Sequence, residues 1–183
     1  MTTHSIGVDF DRLDTGTRVV SRGRTITETD LVSFSALTGD WHPQHADATW
    51  AATSQFGERI AHGMLVLSYA IGLLPIDPDR VVALRGIRSV AFKRPVPIGA
   101  TIRVEAEVAG LRPLDAGHGL VELALRVRDG HDRLVARATI DALWRRAPQE
   151  QPSANGGRAA SGANDAAPAD PDLLPLAEGR VLC

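Results

Sequence analysis

The chain has 183 residues, 44% apolar and 23% charged, which suits one globular domain with a single hydrophobic core. With 20 basic and 22 acidic residues the net charge is −2, and only 4% of residues are aromatic, so nucleic acid is not an expected partner. The only cysteine is Cys183, which excludes an internal disulfide framework and an intrachain cysteine cluster for metal.

No apolar run reaches the ~18 residues of a membrane span, so no membrane contact is expected. Residues 1–5 carry neither the basic start nor the apolar core of a secretory signal, and a cytoplasmic location is expected. Residues 1–14 read as an N-terminal arm and residues 15–147 as a single domain. Residues 148–183 are rich in Pro, Ala, Gly and Ser. They hold too little apolar surface to offset the entropy of ordering, so a disordered tail is expected.

In chain order, Val19 and Val20 open a short extended segment. Thr27 and Asp30 have capping-box spacing, and Leu31, Phe34, Ser35 and Thr38 then share one helical face. Gly39 supplies the stop. The polar run from Asp40 to His45 reads as a loop, because Pro43 disfavours helix at His42. Residues 46–54 predict a short helix ending near Gly57. Residues 63–74 are apolar around nearly the whole circumference, which predicts a helix buried on all sides.

The remainder has the period of strands. Residues 86–93 predict one strand, stopped before Pro95. Ile102, Val104, Ala106 and Val108 alternate with polar residues, as do Val121, Leu123, Leu125 and Val127. Asp129-Gly130 marks a hairpin into a further strand over 134–144. One wet face on each strand implies an antiparallel sheet, and the buried helix implies that the sheet curls around it. The expected class is α+β.

Three clusters could carry chemistry. Asp40 and His45 offer a carboxylate and an imidazole for general acid/base work, or else form a solvated turn. His62 and Gly63 precede the apolar helix, whose first N–H groups are unpaired; a developing oxyanion could dock there, or Gly63 could simply allow close packing. Asp40, His42, His45 and His62 could form a metal set, but the spacing matches no strong ligand motif and no metal is expected. Arg85, Arg88, Lys93 and Arg94 flank a predicted strand and could meet ligand phosphates or face solvent.

The run Thr38-Gly39-Asp40-Trp41-His42-Pro43-Gln44-His45-Ala46-Asp47, followed by Phe56-Gly57-Glu58-Arg59-Ile60-Ala61-His62-Gly63-Met64-Leu65, resembles the MaoC-like hydratases, the (R)-specific enoyl-CoA hydratase family. The segment from Phe92 to Ile102 resembles a later family segment, in which Pro-Val and a Gly precede a strand. The resemblance covers residues 20–145 and implies a single hot-dog fold, a long helix wrapped by an antiparallel sheet. It implies reversible addition of water to a trans-2-enoyl thioester without metal or redox cofactor. Asp40 and His45 would be the catalytic pair and the Gly63 N–H the oxyanion donor. His42 and His62 would support them, and Arg88, Lys93 and Arg94 would meet the phosphates of CoA. The family usually has Asn where this chain has His42. An imidazole replaces one donor or acceptor of an amide but not its full set.

The resemblance implies an acyl-CoA or acyl carrier protein thioester as substrate. It also implies a homodimer or larger symmetric assembly, since a bare strand edge is a liability. A non-catalytic hot-dog subunit that binds acyl chains, and an acyl-CoA thioesterase, are the alternatives. Neither has a chemical need for both Asp40 and His45.

Overall fold

A computed structural model describes residues 6–148. Its elements in chain order are β1 (Arg18–Val20), β2 (Arg24–Thr25), α1 (Glu28–Thr38), α2 (Pro43–Ala46), α3 (Ala48–Thr53), α4 (Gly63–Gly72), β3 (Val81–Phe92), β4 (Thr101–Pro113), β5 (His118–Asp129) and β6 (Leu134–Arg145). One antiparallel sheet runs in the order β1-β4-β5-β6-β3, with β2 also paired to β4. The helix α4 packs against β4 and β6. The arrangement is the expected α+β one.

Alternation places the core. Ile102, Val104, Ala106 and Val108 of β4, and Val121, Leu123, Leu125 and Val127 of β5, are all buried. They meet Leu65, Val66 and Ala70 of α4 in one cluster. Burial of this apolar surface, at roughly 25 cal/mol per Å2, is the main favourable contribution to folding. The expected sheathing of α4 is incomplete. Met64, Ser68 and Gly72 recur every fourth residue and form an exposed stripe along one side of the helix.

The capping box is present: the Thr27 hydroxyl accepts from the Asp30 N–H, and the Asp30 carboxylate accepts from the Thr27 N–H. Gly39 ends α1 at φ 76°, a left-handed conformation that glycine adopts without strain. The hairpin at Asp129-Gly130 also forms, but its left-handed residue is Asp132 (φ 65°). The Asp129 carboxylate holds that turn through the N–H groups of His131 and Arg133.

Two segments differ from expectation. Residues 43–45, read as loop, belong to α2, because proline is well suited to the first helical position even though it disfavours helix before it, and the short helix expected over 46–54 is α3, Ala48–Thr53. Residues 6–13, set apart as an arm, place Ile6, Phe10 and Leu13 in the core. The Phe10 ring fills the space that a side chain at Gly119 would need. The expected tail, residues 148–183, lies outside the described residues except for its first. Among the described residues no helix is long and apolar enough to cross a membrane.

Among the described residues β3 pairs only with β6 and forms one edge of the sheet. Its register against β6 shifts at three places, and Ser89, at one of them, has φ 54°. Leu84, Ile87, Val90 and Phe92 are exposed along it.

Candidate active site

The α1 stop at Gly39 turns the chain so that Asp40 follows the helix directly. Asp40 is exposed, and its Oδ1 accepts the His42 N–H at 3.2 Å. His42 then caps α2, its Nδ1 accepting the Gln44 N–H at 3.2 Å. His45 lies on that capped turn and is buried. His42 therefore links the two expected catalytic residues, with its main chain bound to one and its ring capping the short helix of the other.

The His45 Nδ1 is 2.7 Å from the Ile60 carbonyl oxygen. A carbonyl only accepts, so Nδ1 carries the proton and the neutral ring has its lone pair on Nε2. Burial pulls the His45 imidazole below its ordinary value, with His62 and His42 pushing the same way. The Ile60 hydrogen bond and the Asp40 charge oppose this only in part. A neutral His45 with a bare nitrogen is a base, not an acid, near neutral pH.

His62 is buried beside it. Its Nε2 lies 3.1 Å from the Asp40 carbonyl oxygen and 3.2 Å from Ser35 Oγ, and its ring stacks on that of His45 at 3.8 Å. Side-chain atoms of Asp40, His45 and His62 lie within 4.8 Å of one another. That spacing falls within a metal's reach. The His62 Nε2 proton is directed at the Asp40 main-chain oxygen, so the free lone pair of that ring is on Nδ1, which is buried without a partner. No direct hydrogen bond joins the Asp40 carboxylate to His45, and at a spacing of no more than 4.8 Å one water can contact both.

Gly63 opens α4, and although His62 is the capping residue, its side chain makes no cap bond. The first N–H groups of the helix thus lack an intrahelical partner and a side-chain cap, at the positive end of the helix dipole. Gly63 also has a packing reason to lack a side chain, since a Cβ there would lie 2.8 Å from the Phe92 ring. Asp40, His45 and Gly63 line one cleft of about 300 Å3, with Phe34, Thr38 and Met64.

The basic residues divide. Lys93 and Arg94 line a neighbouring cleft of about 320 Å3 that shares His45 and Gly63 with the first. The Arg94 guanidinium donates to the Leu134 carbonyl at 2.7 Å. Arg88 is not brought to the site: it faces a different depression and pairs with Glu122 and Asp141 at 2.6 and 2.9 Å. Three contributors carried no clear signal as site residues, namely Ser35, the Ile60 carbonyl and Phe92. Ser35 alone had a clue, as a polar residue on the apolar face of α1.

The family model for the MaoC-like domain matches residues 13–128. This chain belongs to the MaoC-like domain family. The (R)-specific enoyl-CoA hydratase of Rhodospirillum rubrum is 37% identical over 93 residues, which is 51% of this chain and 65% of that protein. Among solved structures, the R-hydratase PhaJ1 of Pseudomonas aeruginosa is 33% identical with a TM-score of 0.63, covering 81% of this chain and 96% of that one. A Mycobacterium tuberculosis protein with a double hot-dog fold is 30% identical with a TM-score of 0.71, covering 90% of this chain and 53% of that one. The fold of this MaoC-like chain is the hot-dog. The chain spans less than two thirds of the length of the first curated relatives it matches.

Proposed function

We propose that this MaoC-like chain is a hydro-lyase that adds water reversibly across the double bond of a trans-2-enoyl thioester, giving the (R)-3-hydroxyacyl product. The observation that carries the reading is the tautomer of His45. Its Nδ1–H is spent on Ile60, leaving Nε2 basic, and the Asp40 carboxylate lies within 4.8 Å of the ring, close enough for both to hold one water.

In this mechanism Asp40 and His45 hold one water. His45 Nε2 takes a proton as the water oxygen bonds to Cβ. The π electrons shift toward Cα and the thioester oxygen, where Gly63 N–H and the start of α4 stabilise the charge. A proton then returns to Cα, and water is the only reagent consumed. A preorganised oxyanion donor is worth about 3 kcal/mol of barrier, and positioned acid/base groups typically about 10²–10⁴ in rate, so both are needed.

Lys93 and Arg94 would meet the phosphates of the carrier, CoA or the phosphopantetheine of an acyl carrier protein, from the adjoining cleft. The edge strand β3, with Leu84, Ile87 and Val90 exposed, supports pairing with a second copy into a homodimer.

Mixing the protein with crotonyl-CoA tests the function. Loss of the enoyl-thioester absorbance without release of free thiol is the expected result. Thiol release would instead make the chain a thioesterase, and no change in either would make it a non-catalytic subunit.

A further inference from the structure

We propose that the outer face of the sheet carries a phosphate-binding site between Arg126 and Arg137, separate from the candidate active site. Three like-charged pairs stand directly opposite one another across neighbouring strands of this sheet. Arg103 faces Arg128 across β4 and β5, while Glu122 faces Asp141 and Arg126 faces Arg137 across β5 and β6. Like charges directly opposite destabilise a sheet, so each such pair calls for a counter-charge between its members.

Two of the three pairs have one. Arg88 bridges Glu122 and Asp141 at 2.6 and 2.9 Å. Asp132 pairs with Arg103 and lies 3.7 Å from Arg128. The third pair is different. Among the described residues Arg137 makes no ion pair, and the carboxylates near Arg126 are already engaged. Glu107 lies 3.5 Å from Arg126 but holds Arg18 at 3.0 Å, and Glu105, opposite Arg126 on β4, is held by Arg128 at 2.8 Å.

A depression of about 400 Å3 opens at this pair, lined by Ser89, Ala124, Arg126, Arg137 and Thr139 among others. It shares no lining residue with the two clefts at His45 and Gly63. Ser89 reaches it from the bulge in β3 between Arg88 and Ala91, and bulges re-aim side chains in this way. The donor set names the ligand. One guanidinium fork engages both oxygens of a carboxylate, whereas a phosphate group has oxygens for two forks and for hydroxyls such as those of Ser89 and Thr139. The site therefore suits a phosphate group, free or carried on a small molecule.

Calorimetric titration of the full chain with inorganic phosphate tests this, at low ionic strength and against chloride at matched ionic strength, because salt screens exposed charges. Saturable binding is expected. Arg137→Gln and Arg126→Gln should each weaken it at least tenfold, while Lys93→Ala, in the other cleft, should leave it within twofold. Arg137→Glu supplies the missing carboxylate from the chain itself. It should abolish phosphate binding and raise the thermal midpoint in phosphate-free buffer. CoA, titrated in parallel, separates the sources: affinity lost in Arg137→Gln assigns the phosphate to the carrier, and CoA affinity unchanged in that variant assigns free phosphate. No binding beyond the chloride reference, binding kept within twofold in both glutamine variants, or binding removed by Lys93→Ala instead would overturn the inference.

Discussion

The imidazole rings of His45 and His62 lie face to face, with centroids 3.8 Å apart and planes inclined by 29°. Through Nε2, His62 also donates to the main-chain oxygen of Asp40 at 3.1 Å. One buried ring thus braces both members of the proposed pair. Asp40 is in a loop and His45 on a helix of four residues, and this brace adds to the bonds from His42 N–H to Asp40 Oδ1 and from His45 Nδ1–H to the Ile60 carbonyl.

Removing that brace should separate positioning from binding. His62→Ala is expected to lower kcat by about a hundredfold, the usual loss for a misplacement near 1 Å, with a much smaller change in KM. His62 also pushes the His45 value down, so the acid limb of the pH–rate profile should move to higher pH in this variant. His62→Phe keeps a ring for stacking but not the bond to Asp40. Steady-state kinetics across pH for both variants check this.

In the unmodified chain the activity should persist well into mild acid. His45 works as a base only when neutral, and burial holds its value below the ordinary ~6.5 of histidine. The acid limb of kcat/KM should therefore fall with an apparent pKa below 6.5. A limb at or above that value would mean that His45 is not the group reporting.

The cap at His42 offers a gentler perturbation. Its Nδ1 accepts the Gln44 N–H, a role an asparagine oxygen can fill and a methyl group cannot. His42→Ala should cost about 1 kcal/mol of local stability and several-fold in kcat, whereas His42→Asn should keep both near wild type. Thermal midpoints and kcat measured together distinguish loss of the cap from loss of a contact to substrate.

Away from the site, Asp30 ties α1 to α4 and should govern acid stability. Burial pushes its carboxyl up, but the Tyr69 hydroxyl, the Thr27 N–H and hydroxyl, and Arg24 outweigh this and hold it at about 2. A folded value below the unfolded ~3.9 stabilises fully above about pH 4, and the contribution is lost as pH falls toward 2. It amounts to about 2 kcal/mol. Asp30→Asn should remove that dependence, so that variant and wild type converge in acid. Urea unfolding at pH 7 and pH 2.5 measures it.

Local sequence was informative wherever local physics decides the outcome. The Thr27/Asp30 box, the stop at Gly39 and the alternation of β4 and β5 each depend on a few adjacent residues. Proline was ambiguous, because the same Pro43 that disfavours helix before it starts α2 after it. Residues 6–13 are too short to show a period, yet Phe10 fills the niche above Gly119. Arg88 was legible as a strand residue, but its partners depend on which strands lie beside β3: Asp141 comes from β6 and Glu122 from β5. In the site, Asp40, His45 and Gly63 were recognisable as side-chain types or by their lack of one. The Ile60 carbonyl, which fixes the His45 tautomer, is a backbone atom present in every residue and so had no sequence signal.

The central claim is that Asp40 and His45 act together on one water. Hydration rates of crotonyl-CoA in Asp40→Asn, His45→Gln and the double variant test it most directly. Each single change is expected to lower kcat by about 10²–10⁴, and the double variant should be no slower than the worse single one, because groups serving one step are not additive. A single variant that keeps wild-type activity, or losses that multiply in the double variant, would contradict it.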